Sequence, residues 1–264
     1  MTFNNYHTHT TFCDGSNTPE EMVEAAIAAG CGELGFSGHS YLDFDPDWNM
    51  SPDAAARYRA CIADLKTKYA GDLRILCGVE QDYCSATDEL VLYDYVIGGV
   101  HCVFRDGHYI SVDSDAMTLR NGVEAYYDGD VYAFAEDYFR LVGGLYEKTH
   151  CDIIAHFDLL TKFIEQDDLL DTDDPRYVRA EREALERVIE CPALVEINTG
   201  AMSRGYRTAP YPGERVLELL GKAGKPVILS SDSHAADTIT YGFEEAMRLA
   251  ARWNLDLQTR LVLQ

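Results

Sequence analysis

The chain has 264 residues, 47% of them hydrophobic, and a formal net charge of −23. That length and apolar content can bury a sizeable core, and no apolar run approaches the ~20 residues of a membrane span. The acidity would repel a polyanion, so neither a nucleic-acid nor a membrane partner is expected, whereas a small cationic substrate is compatible with it. Eight cysteines are scattered without a Cys-x-x-Cys pair, and the N-terminus has neither the basic nor the apolar region of an export signal. Reduced thiols in a cytoplasmic protein are therefore expected.

Asn4 to His9 reads as a first strand carrying His7 and His9 on one face, because strand side chains alternate. Thr18-Pro19-Glu20-Glu21 then starts a helix, with Thr as N-cap, Pro at the first position and Glu three residues after the cap; Gly30 stops it. Glu33 to Gly38 is a short strand ending in His39, and Ser51-Pro52 opens a helix with Tyr58, Ile62 and Leu65 at helical spacing. Leu73 to Val79 is an apolar strand ending in Glu80, and Tyr95 to Val100 repeats the pattern and ends in His101. Residues 105–130 are polar and rich in Gly and Asp, and are expected to form a long loop shaping one end of a site, with an extended piece at Tyr109 to Val112. Val131 to Thr149 is predicted as one helix. Asp152 to Ala155 is a strand ending in His156, and Pro175 to Ile189 is an amphipathic helix. Leu194 to Ile197 leads to Asn198, Pro212 to Ala223 is a helix capped by Gly224, and Pro226 to Leu229 runs into Ser230-Ser231-Asp232-Ser233-His234 before a closing helix over Tyr241 to Trp253.

Strands alternating with helices predict parallel pairing, and a closed parallel barrel brings all its strand C-termini to one rim, where active sites lie. No linker or shift in composition divides the chain, so a single domain over residues 1–264 is expected. The strand endings collect His7, His9, Asp14, His39, Glu80, His101, His156, Asp232 and His234, which include six of the eight histidines. Neutral imidazoles with carboxylates suit Zn, Fe or Mn, and nine donors fit three divalent metal ions if Glu80 or Asp232 bridges. Three such ions, held by three carboxylates and one hydroxide, retain about two positive charges, matching a phosphate monoester dianion. Hydrolytic phosphoryl transfer is the reaction class this predicts. No phosphate-cradling Gly-rich loop and no Gly-x-Ser-x-Gly elbow supports nucleotide-cofactor or serine chemistry. Cys13 and Cys102 adjoin Asp14 and His101 and are read mainly as small apolar side chains, with soft ligation as the secondary reading. His108 and His150 are read as ordinary surface or satisfied histidines.

With these residues in hand, the chain resembles the polymerase-and-histidinol-phosphatase (PHP) superfamily. The matching motifs are His7-Thr8-His9 with Asp14, Ser37-Gly38-His39, Gly78-Val79-Glu80, His101, His156 and Ser231-Asp232-Ser233-His234, in the family's order over almost the whole length. Gly98-Gly99-Val100-His101, Asp152 to Leu160, and Glu196-Ile197-Asn198-Thr199-Gly200 followed by Tyr211-Pro212 look most like monofunctional histidinol-phosphatases. The resemblance implies a distorted (β/α)7 barrel, an α/β fold, with a trinuclear Zn, Fe or Mn centre at the C-terminal ends of the strands. It implies hydrolysis of L-histidinol phosphate, in histidine biosynthesis, by a metal-bridged hydroxide.

By that resemblance His7, His9, Glu80 and Asp232 hold one metal, Asp14, His39 and His234 a second, and His101 and His156 with bridging Glu80 a third. Glu80, Asp232 and His234 take the catalytic roles. The family's basic positions fall on Lys162, where Arg would grip phosphate with two bonds and Lys acts as a point charge, and on Arg204, for which Arg207 is a rival. Other readings remain open: a phosphoesterase acting on phosphotyrosine, a nucleotide or a phosphodiester, or a metal-holding module without turnover.

Overall fold

The computed structural model describes residues 3–86 and 89–263. Its elements run β1 (Asn4–Asn5), α1 (Pro19–Ala28), β2 (Glu33–Phe36), α2 (Pro52–Lys68), β3 (Arg74–Asp82), β4 (Tyr95–Gly99), β5 (Cys102–Arg105), β6 (His108–Ser111), α3 (Ala116–Tyr127), α4 (Val131–Gly143), α5 (Leu145–Thr149), β7 (Ile153–Ile154), α6 (Pro175–Glu190), β8 (Leu194–Asn198), α7 (Gly200–Ser203), α8 (Glu214–Ala223), β9 (Pro226–Ser230), α9 (Phe243–Arg252) and β10 (Asp256–Gln258). No helix among the described residues is long and apolar enough to cross a membrane.

All pairs of the main sheet are parallel, in the order β1-β2-β3-β4-β7-β8-β9-β10. The sheet curls until its first and seventh strands meet: just past the end of β1, Thr8 bridges Ser233 beyond β9, with His9 N donating to Ser233 O at 2.8 Å. This is the expected distorted (β/α)7 barrel, with β10 added beside β9 as an eighth strand that the sequence reading did not include.

The helix starts follow their local chemistry. Thr18 Oγ1 accepts from Glu21 N while the Glu21 carboxylate accepts from Thr18 N at 2.8 Å, completing the capping box. Ser51 caps α2 with its hydroxyl alone, which accepts from Ala54 N at 3.2 Å.

Two expectations are corrected. Residues 105–130 are not a long loop: β5 and β6 pair as an antiparallel hairpin, and α3 follows, capped by the Asp115 side chain on Thr118 N. Its polar composition concealed a helical stripe of Leu119, Val123 and Tyr127, which is buried. The helix predicted over Val131 to Thr149 is two, broken at Gly143-Gly144, where Gly144 ends α4 and begins α5.

Two apolar layers hold the barrel. The larger lies between the sheet and its surrounding helices. A smaller cluster of Tyr6, Leu76, Tyr95, Ile97, Ile153, Ala155, Ile228 and Leu261 plugs the interior. Strand alternation carries the same inward face upward from this plug, so the row begun by Leu76 continues through Gly78 to Glu80 and Asp82, and that begun by Tyr95 and Ile97 passes Gly99. The floor of the barrel is thus apolar and its rim polar.

Candidate metal centre

Of the nine residues predicted from the sequence, His7, His9, His39, His101 and His156 converge on Glu80, which is buried at the end of the plug, and Asp14, Asp232 and His234 join them through the histidines. Glu80 Oε1 lies 2.9 Å from His156 Nε2 and 3.2 Å from His101 Nε2. Its Oε2 lies 3.0 Å from His39 Nδ1, 3.1 Å from His7 Nε2 and 3.4 Å from His9 Nε2. Asp232 Oδ1 is 3.2 Å from His9 Nε2 and 3.6 Å from His7 Nε2, and Asp14 faces His234 at 3.1 Å and His9 and His39 at 3.6 and 3.7 Å.

Backbone shape explains the convergence. Gly99 leaves the rim no room for a side chain: a Cβ there would stand 2.9 Å from His101 Cε1 and 3.0 Å from Glu80 Oε1. Asp232 adopts a left-handed φ of 48°, a conformation that Asp tolerates better than most residues and that tends to mark functional sites. It lies between the end of β9 and His234, so the turn sets both side chains on the rim.

Two buried carboxylates hold the imidazoles in place: Glu196, which the sequence offered only as part of a motif, and Asp82, which it did not single out. Glu196 Oε2 faces His7 Nδ1 at 2.9 Å, while its Oε1 accepts from His156 N and Asn198 Nδ2, both at 2.7 Å. Asp82 Oδ2 lies 3.0 Å from His101 Nδ1 and accepts from His101 N at 2.9 Å. Each fixes the outer ring nitrogen of its histidine and leaves the inner one for a ligand. The signal was period two: Asp82 follows Glu80, and Glu196 precedes Asn198, on the same strand faces.

The donors fit a divalent cation. His7 Nε2, His9 Nε2 and Glu80 Oε2 are fully buried without a hydrogen-bond partner in the protein, which is costly unless something else satisfies them. Donor atoms fall within reach of a common ion in overlapping groups: His9, Asp14, His39 and His234; His7, His9 and Asp232; His39, Glu80 and His101. A further group, Asp82, Cys84 and Cys102, lies beside them. Cys102 is thus near the site, and Cys13 Sγ touches His9 Nδ1 at 3.5 Å.

Protonation follows from burial and charge. Burial works against charge on His7 and His101, yet Glu196 and Glu80 around the first, and Glu80 and Asp82 around the second, raise both well above the ordinary value. For His9 burial prevails, reinforced by His234 and His39, and its pKa falls to about 3. Burial opposes ionisation of Glu80 and Asp232 too, but His7 and His39 around Glu80, and Arg204 and His7 around Asp232, hold both well below the carboxylate range.

Two cations reach the same cavity, which encloses about 630 Å³. Lys162 Nζ donates to Asp113 O at 2.6 Å and lies over the Tyr206 ring. Arg204 donates to Asp232 O at 2.9 Å and to Asp232 Oδ2 at 3.1 Å. Arg207, the rival of Arg204, is buried elsewhere, donating to Thr161 Oγ1 and lying over Tyr211. His108 lines the cavity, stacked on Tyr126, whereas His150 packs against Tyr146.

An α/β barrel that gathers imidazoles and carboxylates at its strand C-termini defines a protein built to hold divalent cations. The chain belongs to the PHP domain family, whose model matches residues 5–200. It is similar to a probable histidinol-phosphatase of Deinococcus radiodurans, with 29% identity over 92% of this chain and 90% of that one. Its fold is similar to that of a Listeria monocytogenes protein assigned as a histidinol phosphatase, with a TM-score of 0.80 at 24% identity over 92% of this chain and 99% of that one. It is also similar to a histidinol phosphate phosphatase of Lactococcus lactis, solved with Zn, L-histidinol and phosphate, with a TM-score of 0.69 at 19% identity over 97% and 95% of the two chains.

Proposed function

We propose that the chain, as one domain over residues 1–264, is a histidinol-phosphatase that hydrolyses L-histidinol phosphate to L-histidinol and phosphate with divalent metal ions. The observation that carries this reading is the gathering of six imidazoles, Asp14 and Asp232 around Glu80, beside the cations Lys162 and Arg204. The name of the Deinococcus relative and the ligands of the Lactococcus structure support the choice of substrate and of zinc.

Three ions of Zn, Fe or Mn suit the donor set, held by His7, His9, Glu80 and Asp232, by Asp14, His39 and His234, and by His101 and His156 with Glu80. Ions bound there would lower the pKa of water and neutralise phosphate oxygens. Glu80 serves two groups of imidazoles, one with each oxygen, which is what a bridging carboxylate requires. Asp232 turns Oδ1 to His7 and His9 and gives its carbonyl and Oδ2 to Arg204, so it couples the donors to a phosphate-facing cation. His234 Nε2 meets Asp14 across the rim. Lys162 and Arg204 would orient the phosphate, Arg204 through its planar fork and Lys162 as a point charge.

Phosphate release from L-histidinol phosphate, phosphotyrosine, a phosphodiester and p-nitrophenyl phosphate tests this. Preference for L-histidinol phosphate is expected, and turnover no better than that of p-nitrophenyl phosphate would defeat the assignment.

A further inference from the structure

The cavity has a second wall, formed by the segment between β2 and α2 and by the β5–β6 hairpin. Phe44 stacks on Tyr109 with ring centroids 3.4 Å apart, and both line the cavity. Trp48 stands edge-on to two imidazoles of the rim, 4.7 Å from His39 and 5.5 Å from His101. Its indole Nε1 donates to Asp45 Oδ2 at 2.8 Å, which ties that carboxylate to the ring.

Asp45 differs from the other carboxylates lining the cavity. Asp14 and Glu80 face histidines, Asp113 pairs with Lys162, and Asp232 pairs with Arg204. Asp45 lines the same cavity without an ion-pair partner among the described residues, exposed at its mouth. The cations therefore lie where a phosphate would be gripped, and an uncompensated negative charge lies on aromatic surface elsewhere in the cavity. Carboxylates attract ammonium and imidazolium groups, and aromatic faces attract cations and stack on flat rings.

Resting on the function proposed above, we infer that Asp45, held against Trp48, receives the cationic end of the leaving alcohol and selects cationic over neutral phosphate esters. The Phe44–Tyr109 stack supplies the apolar side of that subsite. The strength is that of an exposed ion pair beside an aromatic face, so selectivity falls with added salt.

The test compares the ratio of kcat/KM for L-histidinol phosphate to that for p-nitrophenyl phosphate in wild type, D45N and D45K, at low and high salt, with thermal unfolding as the fold control. D45N is expected to lower the ratio about three- to tenfold, mainly through KM for the cationic ester, and D45K to lower it further. Calorimetric affinity for L-histidinol alone should fall in the same order. Ratios unchanged in both variants, with wild type still preferring L-histidinol phosphate, would overturn this subsite and leave the function standing. A wild-type enzyme without that preference would overturn both.

Discussion

Glu196→Gln removes a charge at nearly constant volume from a residue that is buried beneath the donors. The carboxylate answers three groups: Oε2 serves His7 Nδ1, while Oε1 serves the His156 N–H and the Asn198 amide. A glutamine has one oxygen. If that oxygen stays with His156 and Asn198, the new NH2 faces His7 Nδ1, which must become an acceptor; the ring proton then moves to Nε2 and occupies the lone pair aimed at Glu80 and Asp232. If the amide turns round, its NH2 meets the donor His156 N–H. Either outcome leaves a buried group unmatched, at a cost of about 1–3 kcal/mol. Loss of such an orienting carboxylate typically weakens metal binding about 10- to 100-fold, or roughly 1.4–2.8 kcal/mol. Competition against a chromogenic chelator, with metal content measured on the same samples, reads the effect directly. A Gln variant that holds its ions as tightly as wild type would refute the role given to Glu196.

Other substitutions probe separate parts of the site. Gly99→Ala places a methyl group within 3.0 Å of both His101 and Glu80, so elemental analysis should find fewer ions per chain, and full occupancy would contradict the close packing described. Arg204→Ala and Lys162→Ala should each raise KM for phosphate esters about tenfold or more, with Arg204→Ala also lowering metal affinity because Asp232 loses its partner; steady-state kinetics at saturating metal separates the two effects. Metal uptake should release protons. The raised pKa values of His7 and His101 keep protons on the metal-free rings that a cation must displace, so affinity weakens as pH falls. Calorimetry in two buffers of different ionisation heat checks this, and heats independent of buffer would contradict it.

The gathering of these side chains was legible because a parallel barrel places strand ends together, so polar residues after short apolar runs mark the rim without any knowledge of pairing. Their supports were less visible, since Glu196 and Asp82 act through hydrogen bonds to residues 189 and 19 positions away, which chain order does not reveal. Residues 105–130 misled for a different reason. Short strands and a polar helix there are stabilised by packing on β5 and α4 rather than by strong local propensity. Choosing Arg204 over Arg207 likewise needed coordinates, because the two lie three residues apart and only their surroundings distinguish them.

The most direct measurement strips the purified protein of metal and follows phosphate release from L-histidinol phosphate as Zn, Fe or Mn is titrated back. Activity should vanish on stripping, return with added ion and saturate near three ions per chain. Turnover by the stripped protein at the untreated rate would contradict the central claim that these nine side chains act by holding metal.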